Sequence, residues 1–268
     1  MSEYTKTGLL FLMIAIAVSL CGSVIAYGYY STLNLANLEG QLASMLMILM
    51  PIGVIGVLAG LMYLLGAIFI FLGRKEFGEK HRKNISYCII LFIAIIIVIV
   101  VFSLMSVSTT LSMMFNGHSQ STPARSTNFF RTQLTFILIQ SSLVSLFSGL
   151  IWVLGFYNLE DKKGRSILLA AFVIMLLTPV INSIGSFMIL DEWTKQGTLD
   201  DMFNATTWTS SYSQLITVSQ LTGATGIIML VVSLFGYLLL FVALYMAYKR
   251  ISNGTFTVPT TKEDTYHR

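Results

Sequence analysis

The sequence predicts an all-α fold: a polytopic membrane bundle of six transmembrane helices formed by one integral membrane domain over residues 1–268. Three observations predict it. Hydrophobic residues make up 55% of the chain and charged residues only 10%, against roughly 45–50% and 25% in average soluble domains. The apolar residues are gathered in long unbroken runs rather than spaced along one helix face, the pattern expected when the solvent is hydrocarbon. The basic residues fall between those runs and alternate sides, as the loops of a membrane protein do.

Six runs reach the roughly 20 apolar residues needed to cross a bilayer core. The first, Gly8 to Tyr29, is longer than the 7–15 residues typical of a signal-peptide apolar region, and its flank holds one basic residue, Lys6, offset by Glu3. It is read as the first membrane helix. Leu42 to Leu72 and Ile85 to Met114 follow; each exceeds a core of about 30 Å, so both are expected to tilt, bend or protrude. The fourth span is Leu134 to Phe156 and the fifth Ile167 to Leu190, where Pro179 removes a backbone donor and predicts a kink. The sixth is Gly223 to Tyr248. Between the last two, Trp193 and Trp208 suggest an interfacial helix.

Orientation follows from the basic residues. With the N-terminus inside, Lys6, Arg74, Lys75, Lys80, Arg82, Lys83, Lys162, Lys163, Arg165, Lys249, Arg250, Lys262 and Arg268 lie on the cytoplasmic side. Only Arg125, Arg131 and Lys195 lie outside. This asymmetry predicts a cell-membrane protein with both termini cytoplasmic. It also accounts for the net charge of +4 without a nucleic-acid partner. The outer segment Asp191 to Thr222 carries the sequon Asn204-Ala205-Thr206, a candidate glycosylation site.

Several chemistries lack their residues. No Asp, Glu, Lys, Arg or His lies in the central part of a span, where ion-coupled carriers and proton relays place them. His81, His118 and His267 lie in loops or the tail, so no paired haem ligands or intramembrane zinc set is available. Cys21 and Cys88 each sit inside an apolar run, which suits small packing residues better than a disulfide. No cofactor or metal is expected. An enzyme would have to act at the membrane surface through Glu160, Asp161 or Asp191, and the chain is read as not being one.

What polar chemistry remains is modest. Asn182, Gln140, Ser103, Ser106 and Ser108 form a candidate polar site within the bundle, and each must find a partner there. Small residues at four-residue spacing, Ser141, Ser145 and Gly149 in the fourth span and Gly56 and Gly60 in the second, mark helix-packing faces, within the bundle or against another subunit.

One stretch carries a resemblance. From Gly149 to Leu190, an apolar helix ends in Phe156-Tyr157-Asn158-Leu159, a short charged loop follows, and the next helix bears Pro179, Asn182 and Gly185. This stretch resembles an archaeal family of uncharacterised multi-pass membrane proteins. The resemblance implies an archaeal origin; it brings no activity and no functional residues. The expectation is therefore a non-enzymatic subunit or scaffold of a membrane complex, with the lipid bilayer and other membrane subunits as partners. The alternative is a passive or facilitated permease for a neutral or weakly polar solute, working through the polar site.

Overall fold

The computed structural model describes residues 3–30, 38–116, 123–196 and 224–255. Its elements are α1 (Glu3–Tyr30), α2 (Leu38–Leu72), a 3₁₀ turn (Gly73–Lys75), α3 (Glu79–Asn116), α4 (Pro123–Phe156), α5 (Lys162–Gln196) and α6 (Ala224–Ser252). No strand occurs among the described residues. Among the described residues six helices are long and apolar enough to cross a membrane, and the described structure is that of an all-helical, multi-pass membrane protein by that measure.

The helices outrun the apolar stretches that predict them. α3 begins at Glu79 rather than Ile85, α4 at Pro123 rather than Leu134, and α5 at Lys162 rather than Ile167. Helical hydrogen bonds are internal, so a helix ends at a capping signal and not at the edge of the hydrocarbon. Pro123 opens α4 at the position where a missing N–H costs nothing. Asp161 caps α5, its Oδ1 accepting from the Gly164 amide at 2.8 Å. At the far end of α6, Gly254 adopts φ +66°. Its amide and that of Thr255 donate back to Ile251 and Arg250, closing the helix with a left-handed residue as glycine readily does. The expected interfacial helix is corrected in part: Trp193 belongs to α5, which runs unbroken to Gln196, and Trp208 lies outside the described residues.

Packed neighbours run in the order α2, α1, α6, α5, α4, α3. The helices therefore form an arc whose two ends, α2 and α3, are consecutive in sequence yet do not pack along their lengths. At the end of the bundle that carries Lys6, Arg74, Lys80, Lys162 and Arg250, the 73–78 connection ties these two helices together. There Tyr63 of α2 meets Trp152 of α4 edge to face, ring centroids 6.3 Å apart. The main core fills this basic end, with Leu9, Leu12 and Ile16 of α1, Ile70 of α2, Phe156 of α4, Leu168 of α5, and Leu240 and Leu244 of α6. A smaller cluster, Phe130, Leu134 and Leu190, joins α4 to α5 toward the opposite end.

Because lipid tails are as apolar as leucine, these contacts stabilise through close fit rather than escape from water. Close fit is most visible where glycines face each other. A Cβ on Gly8 of α1 would lie 2.9 Å from the Gly66 carbonyl oxygen, and one on Gly66 of α2 would lie 3.1 Å from that of Gly8. Only glycine at both positions lets the two backbones approach this closely.

The α4–α5 contact is built around a proline. Pro179 lies inside α5, which continues through it. Its missing N–H leaves the carbonyl of Met175, four residues earlier, without a helical donor. The Ser145 hydroxyl of α4 supplies that donor at 2.6 Å. One turn along, Gly149 sits so close to the Phe172 ring that a Cβ would overlap it.

Removing the hydroxyl should therefore matter only while the proline is present. Ser145→Ala is expected to cost about 1–2 kcal/mol, whereas the same change in a Pro179→Ala background, where an amide again reaches Met175, should cost close to nothing. A double-mutant cycle of unfolding in detergent micelles measures the difference; equal costs in both backgrounds would refute this account. Gly149→Leu, which forces overlap with Phe172, is expected to destabilise the same pair by about 1–3 kcal/mol or more in the same assay.

Candidate functional site

Polar side chains gather in two places. Toward the end opposite the basic one, Gln133 of α4 reaches α3. Its amide donates to the Ser106 carbonyl at 3.2 Å and to Thr109 Oγ1 at 2.6 Å, while Ser106 Oγ donates to Gln133 Oε1 at 2.7 Å. Every strong group of the amide is used between two adjacent helices, so the network is a joint.

The expected polar site is not assembled in this way. Ser106 bonds Gln133, not Gln140. Ser103 and Ser108 lie on the exposed, apolar-flanked surface of α3. Gln140 and Asn182 are half-buried, and neither side chain makes a hydrogen bond among the described residues; only the Asn182 backbone carbonyl is engaged, by Ser186 Oγ at 2.9 Å. On α3, Ser106, Thr109 and Thr110 share the stripe that meets Gln133 of α4; Ser108 falls on the opposite side of the helix, and Ser103 is exposed at the edge of that stripe.

The small-residue faces divide similarly. Ser145 and Gly149 lie against α5, and the Ser141 hydroxyl returns to its own helix at Leu138. Gly56 and Gly60 face open space, with no atom within 4 Å of where a Cβ would stand, and Gly53 shares that condition. The close approach on α2 falls instead at Gly66. Asn204 lies outside the described residues.

The second gathering occupies the basic end, and it is more unusual. The Glu76 carboxylate, beyond the 3₁₀ turn, caps α1 from outside. It accepts from the Thr5 hydroxyl at 2.7 Å, from the Thr5 amide at 3.2 Å and more distantly from the Tyr4 amide at 3.4 Å. A carboxylate at a helix N-terminus meets both the orphan amides and the positive end of the dipole. Lys6 lies over the Tyr248 ring, 5.5 Å from its centroid, and so links α1 to α6.

Across the bundle two guanidiniums hold the α4–α5 turn. Arg250 of α6 donates to the Leu159 carbonyl at 2.7 Å, and Arg165 of α5 donates to the Tyr157 carbonyl at 3.0 Å while its guanidinium covers the Tyr157 ring. Beneath these clamps lies Glu160. The loop carboxylate that the sequence placed at the surface is 1% exposed, and neither of its oxygens accepts a hydrogen bond. Burial pushes its carboxyl up to about 7, reinforced by the Asp161 charge and opposed by Arg250, the Ala247 backbone and Arg165.

Asn158 Nδ2, in the same turn, also has no partner. His81, near the start of α3, is fully buried with both ring nitrogens unpartnered, its ring edge-on to Phe77 at 5.6 Å. No group of three or more His, Cys, Asp or Glu side chains suited to a metal occurs among the described residues. Asp161 serves as a cap, and Asp191 is exposed near the end of α5.

Sequence reasoning missed Glu76, Gln133 and the burial of Glu160. A legible signal existed for the last: Glu160 stands one residue before a helix-capping Asp and four before a glycine, a spacing that turns its side chain toward the first turn of α5. Comparison with protein-family models, with curated proteins and with solved structures gives no match.

The cap on α1 makes a direct expectation. Glu76→Ala should remove two good acceptor contacts and cost about 1–3 kcal/mol. Hydrogen exchange should rise in the first turn of α1 and not in α4, a pattern that uniform protection of α1 would contradict.

Proposed function

We propose that the chain is a non-enzymatic component of the cell membrane, a subunit or scaffold of a larger assembly, with both termini in the cytoplasm. The observation that carries this reading is the state of α2 at one end of the arc. It packs along its length on α1, with the Tyr63–Trp152 contact to α4 near the basic end, and its surface presents Gly53, Gly56 and Gly60 with nothing within 4 Å. Glycine inside a helix costs about 1 kcal/mol relative to alanine, and lipid tails do not require it. A transmembrane helix of another subunit does, because glycines let two backbones approach within van der Waals range. The occupant proposed for this face is such a helix.

A permease for a neutral solute draws less support. Its candidate groups are spent or scattered: Ser106 is engaged by Gln133, and Ser103 and Ser108 lie on the outer surface of α3.

Purification in mild detergent or native nanodiscs should yield the chain with a defined membrane partner. Gly56→Leu should release that partner while leaving the thermal stability of the isolated chain unchanged or raised, since nothing within the chain crowds position 56 and leucine is the better helix former. A chain that behaves as a lone species, with Gly56→Leu affecting neither assembly nor physiological activity, would argue against the subunit reading. Selective solute flux in reconstituted vesicles that is abolished by Asn182→Leu would favour the permease. For topology, a cysteine at position 80 should resist labelling from outside intact cells and one at position 204 should react; the reverse pattern would invert the orientation.

A further inference from the structure

We propose that Glu160 is a proton-binding site whose charge state controls how tightly the α4–α5 turn packs onto α6. The argument rests first on geometry. The carboxyl is 1% exposed, flanked by Leu159, which is fully buried, and set against Ala247 of α6, which is also fully buried. On its other side stands Gly164, where a Cβ would overlap Oε2 and Cδ of Glu160. Yet neither oxygen accepts a hydrogen bond. A carboxylate enclosed in this way lacks both water and donors, and an uncompensated buried charge is among the costlier features a fold can hold. A neutral carboxylic acid has only a hydroxyl to satisfy and fits the same space.

The surrounding charges set where the proton is exchanged. Asp161, the adjoining residue, disfavours ionisation; Arg250 from α6 and Arg165 from α5 favour it. Both arginines are committed to backbone carbonyls of this turn, Leu159 and Tyr157 respectively. When the proton leaves, the new carboxylate attracts the same guanidiniums that clamp the turn. Drawing a guanidinium toward the carboxylate strains its bond to the carbonyl, and lifting the turn admits water; both responses loosen the contact between the turn and α6. When the proton returns, the acid becomes an apolar-compatible plug again and the clamps re-form. No redox or covalent change is involved; one proton is exchanged with bulk water at the basic end.

The sign of the linkage follows. Because the folded carboxyl titrates near 7 and an ordinary glutamate near 4.5, the folded state holds the proton over that interval while the unfolded state has lost it. The stabilisation is complete below the unfolded value and is lost as pH rises through about 7. Such a midpoint lies in the range where intracellular pH varies.

The test uses the full chain in nanodiscs, wild type against Glu160→Gln, which keeps the shape of the neutral acid. Wild-type thermal stability should fall as pH rises from about 5 to 8 relative to that of the variant. Hydrogen exchange of residues 157–165, compared between the two proteins at each pH so that intrinsic rates cancel, should be similar at pH 5. At pH 8 it should be on the order of tenfold faster in wild type, the change that one unit of linkage produces. Parallel stability and exchange profiles for the two proteins would overturn the proposal. Should Glu160→Gln fail to accumulate, Asp161→Asn, which keeps a capping side chain, should move the wild-type midpoint to lower pH, and Arg250→Gln should move it higher. An unmoved midpoint in both would equally overturn it.

Discussion

A carbonyl without a donor has nowhere to turn in hydrocarbon, and this chain contains one by construction. Pro179 deprives Met175 of its helical partner, and a hydroxyl on the neighbouring helix, Ser145, fills the gap at 2.6 Å. The consequence spreads along the interface. Satisfying Met175 fixes the distance and rotation of α4 against α5, and at that distance Gly149 must be bare for Phe172 to fit. The other face of α4 is then fixed as well. Asn84 donates to the Leu154 carbonyl at 3.0 Å, and Gln133 meets Ser106 farther along. Those contacts place α3 as α4's second neighbour. One unsatisfied backbone group thus orients half of the arc.

The other half is held by backbone proximity and by a cap. Gly8 and Gly66 bring α1 onto α2, and Glu76 then reaches from beyond the 3₁₀ turn to the first amides of α1. Both halves meet through α6, whose Leu240, Ala243, Leu244 and Ala247 are fully buried. All of these constraints, apart from the Gln133 joint and the Phe130 cluster, lie toward the basic end. Along their lengths α2 and α3 carry long exposed apolar surfaces, including Val54, Val57, Ile93, Ile97 and Leu104. The bundle is consequently well determined at one membrane face and leaves the flanks of its end helices to lipid or to another helix, an asymmetry in keeping with a component of a larger assembly.

Span number was legible in the sequence because it depends on run length, which needs no tertiary information. Helix phase was not. When almost every side chain in a span is apolar, periodicity carries no record of which face meets a neighbour, so Gly56 and Gly60 read as well as Gly66, and Gln140 as well as Gln133. Only tertiary partners separate them. Ser141, Ser145 and Gly149 could be singled out because their spacing puts small residues in one stripe, but the role of Ser145 could not, since it depends on a carbonyl 30 residues away in sequence that Pro179 leaves without a donor. Glu160 was legible as a charge between spans and illegible as a buried one, because burial of a loop residue depends on the clamps from Arg165 and Arg250.

The remaining contrast is between two carboxylates at the same end of the bundle. Glu76 is surrounded by donors: a helix N-terminus and a hydroxyl accept its charge, so it serves as a permanent fastening. Glu160 is more fully enclosed and its oxygens accept no hydrogen bond, so its charge cannot be a fastening and its enclosure is comfortable only when neutral. The two differ in who holds the nearby hydrogen-bond donors. At α1 the orphan amides are left for Glu76 to take. At α5 Asp161 has already taken the capping position, and each of the two guanidiniums gives an N–H to a carbonyl of the turn. An ionised Glu160 would therefore share these guanidiniums with the turn's own backbone. That sharing is what couples a single proton to the geometry of a helix connection.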